Sequence, residues 1–157
     1  MSGTSLGLLS RVVVKLRLNF GELEVSLTLC ERIVEGDGGP YLDWLVCTVD
    51  VRDPHFAGQF QWEVMPNELL QLADGLERLH SDAFSSTKPF VFRCAETNVA
   101  LDFEPGALGT ITVSYRLGGP LADDSRLQGE ASLEPSVALR LAGATRDFVR
   151  DAKSGEA

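Results

Sequence analysis

The sequence predicts an α+β protein: one domain built on an antiparallel, strongly twisted sheet of about eight strands, with two helices packed on its apolar face. Three observations carry this. Apolar and polar residues alternate through most of the chain; the links between alternating runs have hairpin length and offer no βαβ crossovers; and the apolar period changes from two to about 3.6 at Pro66 and again at Pro135. The domain is expected over residues 1–152, followed by a frayed C-terminal tail at 153–157. A curled, barrel-like sheet with the helices closing one end is the alternative arrangement.

In the first strand Val12, Val14, Leu16, Leu18 and Phe20 share one face and Lys15, Arg17 and Asn19 the other. After Gly21 the pattern repeats with Leu23, Val25, Leu27 and Leu29, which makes a hairpin. Gly36-Asp37-Gly38-Gly39-Pro40 forces a loop. Leu45, Cys47, Val49 and Val51 form a third strand beside Trp44 and Val46, and Asp53-Pro54-His55 turns the chain into a fourth carrying Phe60, Trp62 and Val64. Pro66 then suits a first helical turn, where its missing N–H removes a donor that has no partner, and Leu69, Leu72, Ala73, Leu76 and Leu79 make one stripe.

Residues 81–89 read as a loop, with Phe84 tucked back onto the core. Strands resume with Phe90, Phe92 and Cys94, then Val99, Leu101 and Phe103, then Ile111, Val113, Tyr115 and Leu117, separated by turns at Thr97-Asn98 and Pro105–Gly109. Tyr115 points inward on this pattern and needs a partner for its hydroxyl. A polar loop at 118–124 precedes a last strand with Leu127, Ala131 and Leu133. Pro135 opens the second helix, with Val137, Leu141, Ala144 or Thr145, and Phe148 at helical spacing; Gly143 weakens it by about 1 kcal/mol relative to alanine. The strand–proline–helix step thus occurs twice, although residue identity between the halves is too low to establish a duplication.

The chain has 157 residues, 44% of them hydrophobic. A domain of that size buries about 70% of its unfolded surface without help from a metal or disulfide. No apolar run approaches the roughly 18 residues that cross a bilayer, and the start, MSGTSLGLLSRVVV, has no basic region before its apolar stretch, so a soluble, cytoplasmic protein is expected. Cys30, Cys47 and Cys94 are odd in number, far apart and strand-borne, as small buried thiols are. With no CxxC pair and no ligand spacing to His55 or His80, neither a metal nor a cofactor site is expected.

No catalytic constellation emerges. The Gly36–Gly39 run precedes a strand rather than a helix and has no lysine, no G-x-S-x-G elbow occurs, and Ser10, Ser26, Ser114 and Ser132 lie on strands. Glu22 with Glu24, and Asp102 with Glu104, are carboxylate pairs on outer strand faces, where solvation explains them more simply than metal binding or acid–base work. Glu63, Glu68, Asp74 and Glu77 read as solvating positions. Trp44 and Trp62 read as core, with a pocket around Trp62, Phe90, Phe92 and Tyr115 as the small-ligand alternative.

Charge is uneven. The net charge is −9, but residues 1–20 hold three bases and no acid, whereas residues 21–104 hold five bases against sixteen acids, a balance of −11. That field repels phosphate backbones, which argues against direct nucleic-acid binding, and attracts a basic protein.

Trp44-Leu45, the strand ending Glu63-Val64-Met65, Pro66-Asn67-Glu68-Leu69-Leu70 opening a Leu-rich helix, Leu101-Asp102-Phe103-Glu104, Gly109-Thr110-Ile111-Thr112-Val113 and the late Pro135 helix occur in an order that resembles the WapI-like immunity proteins of bacterial contact-dependent toxin systems. The similarity covers roughly residues 41–150. It implies a non-catalytic protein that binds and occludes a cognate toxin domain, often a nuclease and therefore basic near its site. The expected partner-binding surface comprises Glu22, Glu24, Glu35, Asp37, Asp43, Asp50 and Asp53, with Tyr41 and Trp44 as aromatic anchors. A small-ligand-binding domain and a metal-dependent hydrolase using Asp102 and Glu104 remain the alternatives.

Overall fold

The computed structural model describes residues 12–37, 39, 41–82, 88–119 and 125–155. The expected position of Phe84 and most of the 118–124 loop lie outside them. Eight strands and two helices follow in the order β1 (Lys15–Phe20), β2 (Leu23–Val34), β3 (Asp43–Arg52), β4 (Ala57–Val64), α1 (Pro66–Ser81), β5 (Phe90–Phe92), β6 (Val99–Pro105), β7 (Ile111–Gly118), β8 (Arg126–Leu133) and α2 (Pro135–Ser154). Lys153 and Ser154, expected in the tail, continue α2.

All pairings are antiparallel, and they divide the strands into two four-stranded meanders, β1-β2-β3-β4 and β5-β6-β7-β8, each closed by a helix. The α+β class, strand number and helix number are as expected; the partition into two sheets is the addition. Its cause is local. At Met65 the chain leaves β4 for α1, so β5 begins only after a full helix and a connector and starts a second meander. Both junctions have the same geometry: Met65 at φ −81°, ψ 142° and Glu134 at φ −84°, ψ 144°, each followed by proline at the first helical position. The extended conformation before each proline is what the proline ring imposes on its predecessor.

The inner faces of the two sheets and both helices share one core. Phe20 of β1 meets Phe103 of β6 edge-on at 5.8 Å, and Trp62 of β4 meets Phe92 of β5 at 6.5 Å. Phe90 stacks on Phe103 at 5.4 Å and presses on α1 at Gly75, where any Cβ would collide with the Phe90 ring. The helices pack on each other, α2 also touching β1 and β2 and α1 touching β5 and β3. Arg146 of α2 bridges Asp74 (2.9 Å) and Glu77 (2.6 Å) of α1. In α2 the buried position is Thr145, whose hydroxyl donates to the Leu141 carbonyl at 2.7 Å, while Ala144 faces solvent.

Two sequence readings change. Glu68, read as solvating, is buried: one carboxylate oxygen accepts the Met65 N–H at 3.0 Å and the other the Ala95 N–H at 2.9 Å, fastening the start of α1 to the β5–β6 link. Cys30, read as a buried thiol, is exposed, because β2 bulges there. The bulge also reverses the alternation. Leu29 still faces the core, but Glu31 pairs with Val46 on the outer face and Arg32 turns inward beside Leu45. Trp62, read as core, is buried, and the other aromatics of the alternative pocket follow it: Trp62 packs on Phe92 and Phe90 on Phe103 where the sheets meet. No helix among the described residues is long and apolar enough to cross a membrane.

Candidate functional site

The nine residues expected to bind a partner lie at two ends of the first sheet. Glu35, Asp37, Tyr41, Asp43 and Trp44 surround the β2–β3 loop, while Glu22, Glu24, Asp50 and Asp53 gather at the β1–β2 and β3–β4 turns. The paired register from Glu24↔Arg52 to Val34↔Asp43 separates the groups. At about 3.3 Å per residue that is roughly 30 Å.

At the β2–β3 end, Tyr41 is 74% exposed and Asp37 accepts the Gly39 N–H at 3.2 Å. Asp43 is different. It is buried, and Arg32 grips it with two parallel bonds, Nε to Oδ1 at 2.9 Å and Nη2 to Oδ2 at 3.0 Å, while Nη1 donates to the Lys153 carbonyl at the end of α2 at 3.1 Å. The hydrogen bond to Asp43 raises the guanidinium pKa above its ordinary value despite the opposing effect of burial. Asp43 therefore ties β2, β3 and α2 together through Arg32.

The opposite end holds two neighbouring clefts with different charge. One, of about 340 Å³ on the outer sheet face, includes Glu24 and Asp50 but also Arg17 and Arg52, so two carboxylates stand beside two guanidinium groups; Asp50 additionally accepts a 2.9 Å bond from Gln59. The other, of about 520 Å³, lies between the β1–β2 and β3–β4 turns and strands β7 and β8 of the second sheet. Glu22, Asp53 and Glu130 line it with His55 and Tyr115, and among the described residues no lysine or arginine does.

Local structure holds each of these groups. Gly21, at φ +59°, lets the β1–β2 turn lie on the second sheet: a Cβ there would stand 2.8 Å from the Ser132 carbonyl oxygen. Asp53 closes its turn by accepting two backbone N–H groups at Oδ1, from His55 at 2.8 Å and Phe56 at 2.7 Å. Tyr115 is 7% exposed and paired with Gly129; its hydroxyl would stand 2.6 Å from a Cβ at that glycine. Burial raises the phenol pKa, and the Asp53 charge raises it further.

Glu130 was absent from the sequence expectation and Tyr115 entered it only as a core or pocket ring. Their approach to Glu22 and Asp53 depends on β8 lying beside β1 across two sheets. No spacing along the chain signals that contact. The carboxylates of the hydrolase alternative are also placed: Asp102 pairs with Arg93 at 2.7 Å and Glu104 is exposed on the same strand. Among the described residues, no group of three or more histidines, cysteines or acids is arranged to hold a metal ion.

The strand–proline–helix step occurs twice, and both clefts described lie beside the turns of the first sheet. The chain matches the model of the Immunity protein WapI-like family over residues 14–148 and belongs to that family. No curated protein matches it. Among solved structures it is similar to the plant transcriptional regulator PBF-2, with TM-score 0.44, 11% identity and coverage of 88% of this chain and 81% of that one. It is also similar to trypanosoma bruciei MRP1/MRP2, with TM-score 0.34, 13% identity and coverage of 90% and 83%. These two likenesses carry no functional argument.

Proposed function

We propose that this chain is a non-catalytic immunity protein that binds a cognate basic toxin domain and blocks its active site or the approach of its substrate. Family membership supports the role. The observation that carries the mode of binding is the cleft lined by Glu22, Asp53 and Glu130 without a described lysine or arginine. A toxin that handles polyphosphate needs a positive site, and a negative partner surface accelerates its capture.

Of the expected surface, the end bearing Glu22, Glu24, Asp50 and Asp53 is the better candidate for first contact. A standard interface covers about 800 Å² per partner, a disc of about 16 Å radius, so one patch centred there stops short of the Tyr41 and Trp44 end some 30 Å away. Tyr41 and Trp44 then join only an interface larger than the standard one, and Asp43, gripped by Arg32, contributes shape rather than free charge.

Co-expression tests this reading. The probe is a toxic C-terminal domain from a gene adjoining this one, where the neighbourhood encodes such a domain, produced in a host with or without the chain. Growth rescue by the chain, with a stable complex on co-purification, is the expected outcome. Intact toxicity in the presence of abundant folded chain would overturn it.

A further inference from the structure

The larger cleft is more than a concentration of acids, because one of its walls is a nearly buried polar group with no protein partner among the described residues. Tyr115 is 7% exposed, it lines the cleft, and its hydroxyl makes no hydrogen bond to any of those residues. The ring is buried while the hydroxyl meets the cleft, so its oxygen is available to accept a bond from a ligand seated there. Asp53 is half-committed in a similar way: both of its backbone bonds fall on Oδ1, which orients the carboxylate. Glu22 and Glu130 are exposed at the rim and come from opposite sheets.

We propose that this cleft is a receptor for a guanidinium side chain, an arginine presented by the partner protein, held by the Asp53, Glu22 and Glu130 carboxylates with the Tyr115 hydroxyl oxygen as a further acceptor. The chemistry favours arginine over lysine. A guanidinium presents five donors in a planar fork and is more weakly hydrated than an ammonium, so it suits a site with several acceptors converging from different strands beside an aromatic ring. The neighbouring cleft does not qualify, because Arg17 and Arg52 already accompany its carboxylates. Gly129 is required by the same geometry: any side chain there would displace the Tyr115 hydroxyl.

This inference rests on the immunity reading for the source of the arginine, but its test needs no toxin. The chain has two tyrosines, Tyr41 and Tyr115, so fluorotyrosine labelling yields two ¹⁹F resonances, one exposed and one in the cleft. The probe is N-acetyl-arginine amide at pH 7.5, with N-acetyl-citrulline amide as its neutral control and N-acetyl-lysine amide as its cationic one. The Tyr115 resonance is expected to shift saturably with the arginine probe while Tyr41 stays still. Lysine is expected to bind severalfold more weakly and citrulline not at all. Asp53→Asn, which keeps an acceptor for the turn, should weaken arginine binding at least tenfold, and Glu22→Gln with Glu130→Gln should do the same. Tyr115→Phe preserves the ring and should weaken it about threefold, read through amide shifts around Asp53. An unmoved Tyr115 resonance, an equal response to citrulline, or unchanged binding in Asp53→Asn would each overturn the proposal. Growth rescue alongside a failed titration would leave immunity standing and remove only the arginine receptor.

Discussion

Removing the Glu68 carboxylate would strand the buried Met65 N–H and leave the N–H of the exposed Ala95 to water. Glu68→Ala should therefore cost roughly 1–3 kcal/mol in urea unfolding, and Glu68→Gln less, because its amide oxygen can keep one of the two bonds. The thiols make a second prediction. Burial, aided slightly by Cys30, pushes the Cys47 thiol from 9.0 up to about 12; burial and then the Glu68 charge raise Cys94 as well. Folded thiols thus keep protons that unfolded ones release above pH 9.0. Stability from this source is complete below that pH and is lost as pH rises toward the folded values, so unfolding midpoints should fall between pH 9 and 12. In native protein at pH 8, iodoacetamide should label Cys30 first and leave Cys47 unlabelled until unfolding, which intact-mass analysis resolves.

Each helix contains one glycine whose replacement by alanine should have the opposite sign from the other. Gly143 in α2 is exposed, and nothing lies within 4 Å of the point where an alanine methyl would stand, so Gly143→Ala should stabilise by about 0.5–1 kcal/mol. Gly75 in α1 faces the Phe90 ring, so Gly75→Ala should destabilise by roughly 1–3 kcal/mol, and Phe90→Ala in the same chain should recover part of that loss. The difference was only half legible in the sequence. Gly143 stood out as a weak point in a helical stripe, but nothing along the chain showed that Gly75 meets an aromatic from a strand fifteen residues away. The elements themselves were readable because each strand has one dry face and each helix begins at a proline. The bulge at Cys30 was not, since the apolar pattern of β2 fades just where its register shifts.

At the scale of the molecule, the two ββββα units, joined by the same strand-to-helix geometry and by aromatic contacts between sheets, form one frame with the cleft-bearing turns at its end. Alternation and proline positions were enough to read the class, the strands and both helices. Division into two sheets was not, because it depends on which edges meet after α1 intervenes. The same limit applies to the candidate site. Glu22 and Asp53 were identifiable as acids in turns, whereas Glu130 and Tyr115 join them only through the approach of β8 to β1. Asp43, equally acidic on paper, proved to be gripped by Arg32 inside the frame. Capture of a basic toxin domain by the acidic cleft at the turn end of the first sheet is tested most directly by titration calorimetry of the toxin domain whose toxicity the chain relieves, against the native chain and against the Glu22→Gln, Asp53→Asn, Glu130→Gln triple variant, at several salt concentrations. Native binding is expected to weaken as salt rises, and the triple variant to bind at least tenfold more weakly with a flatter salt dependence. Equal affinity and equal salt dependence for the two proteins would contradict it.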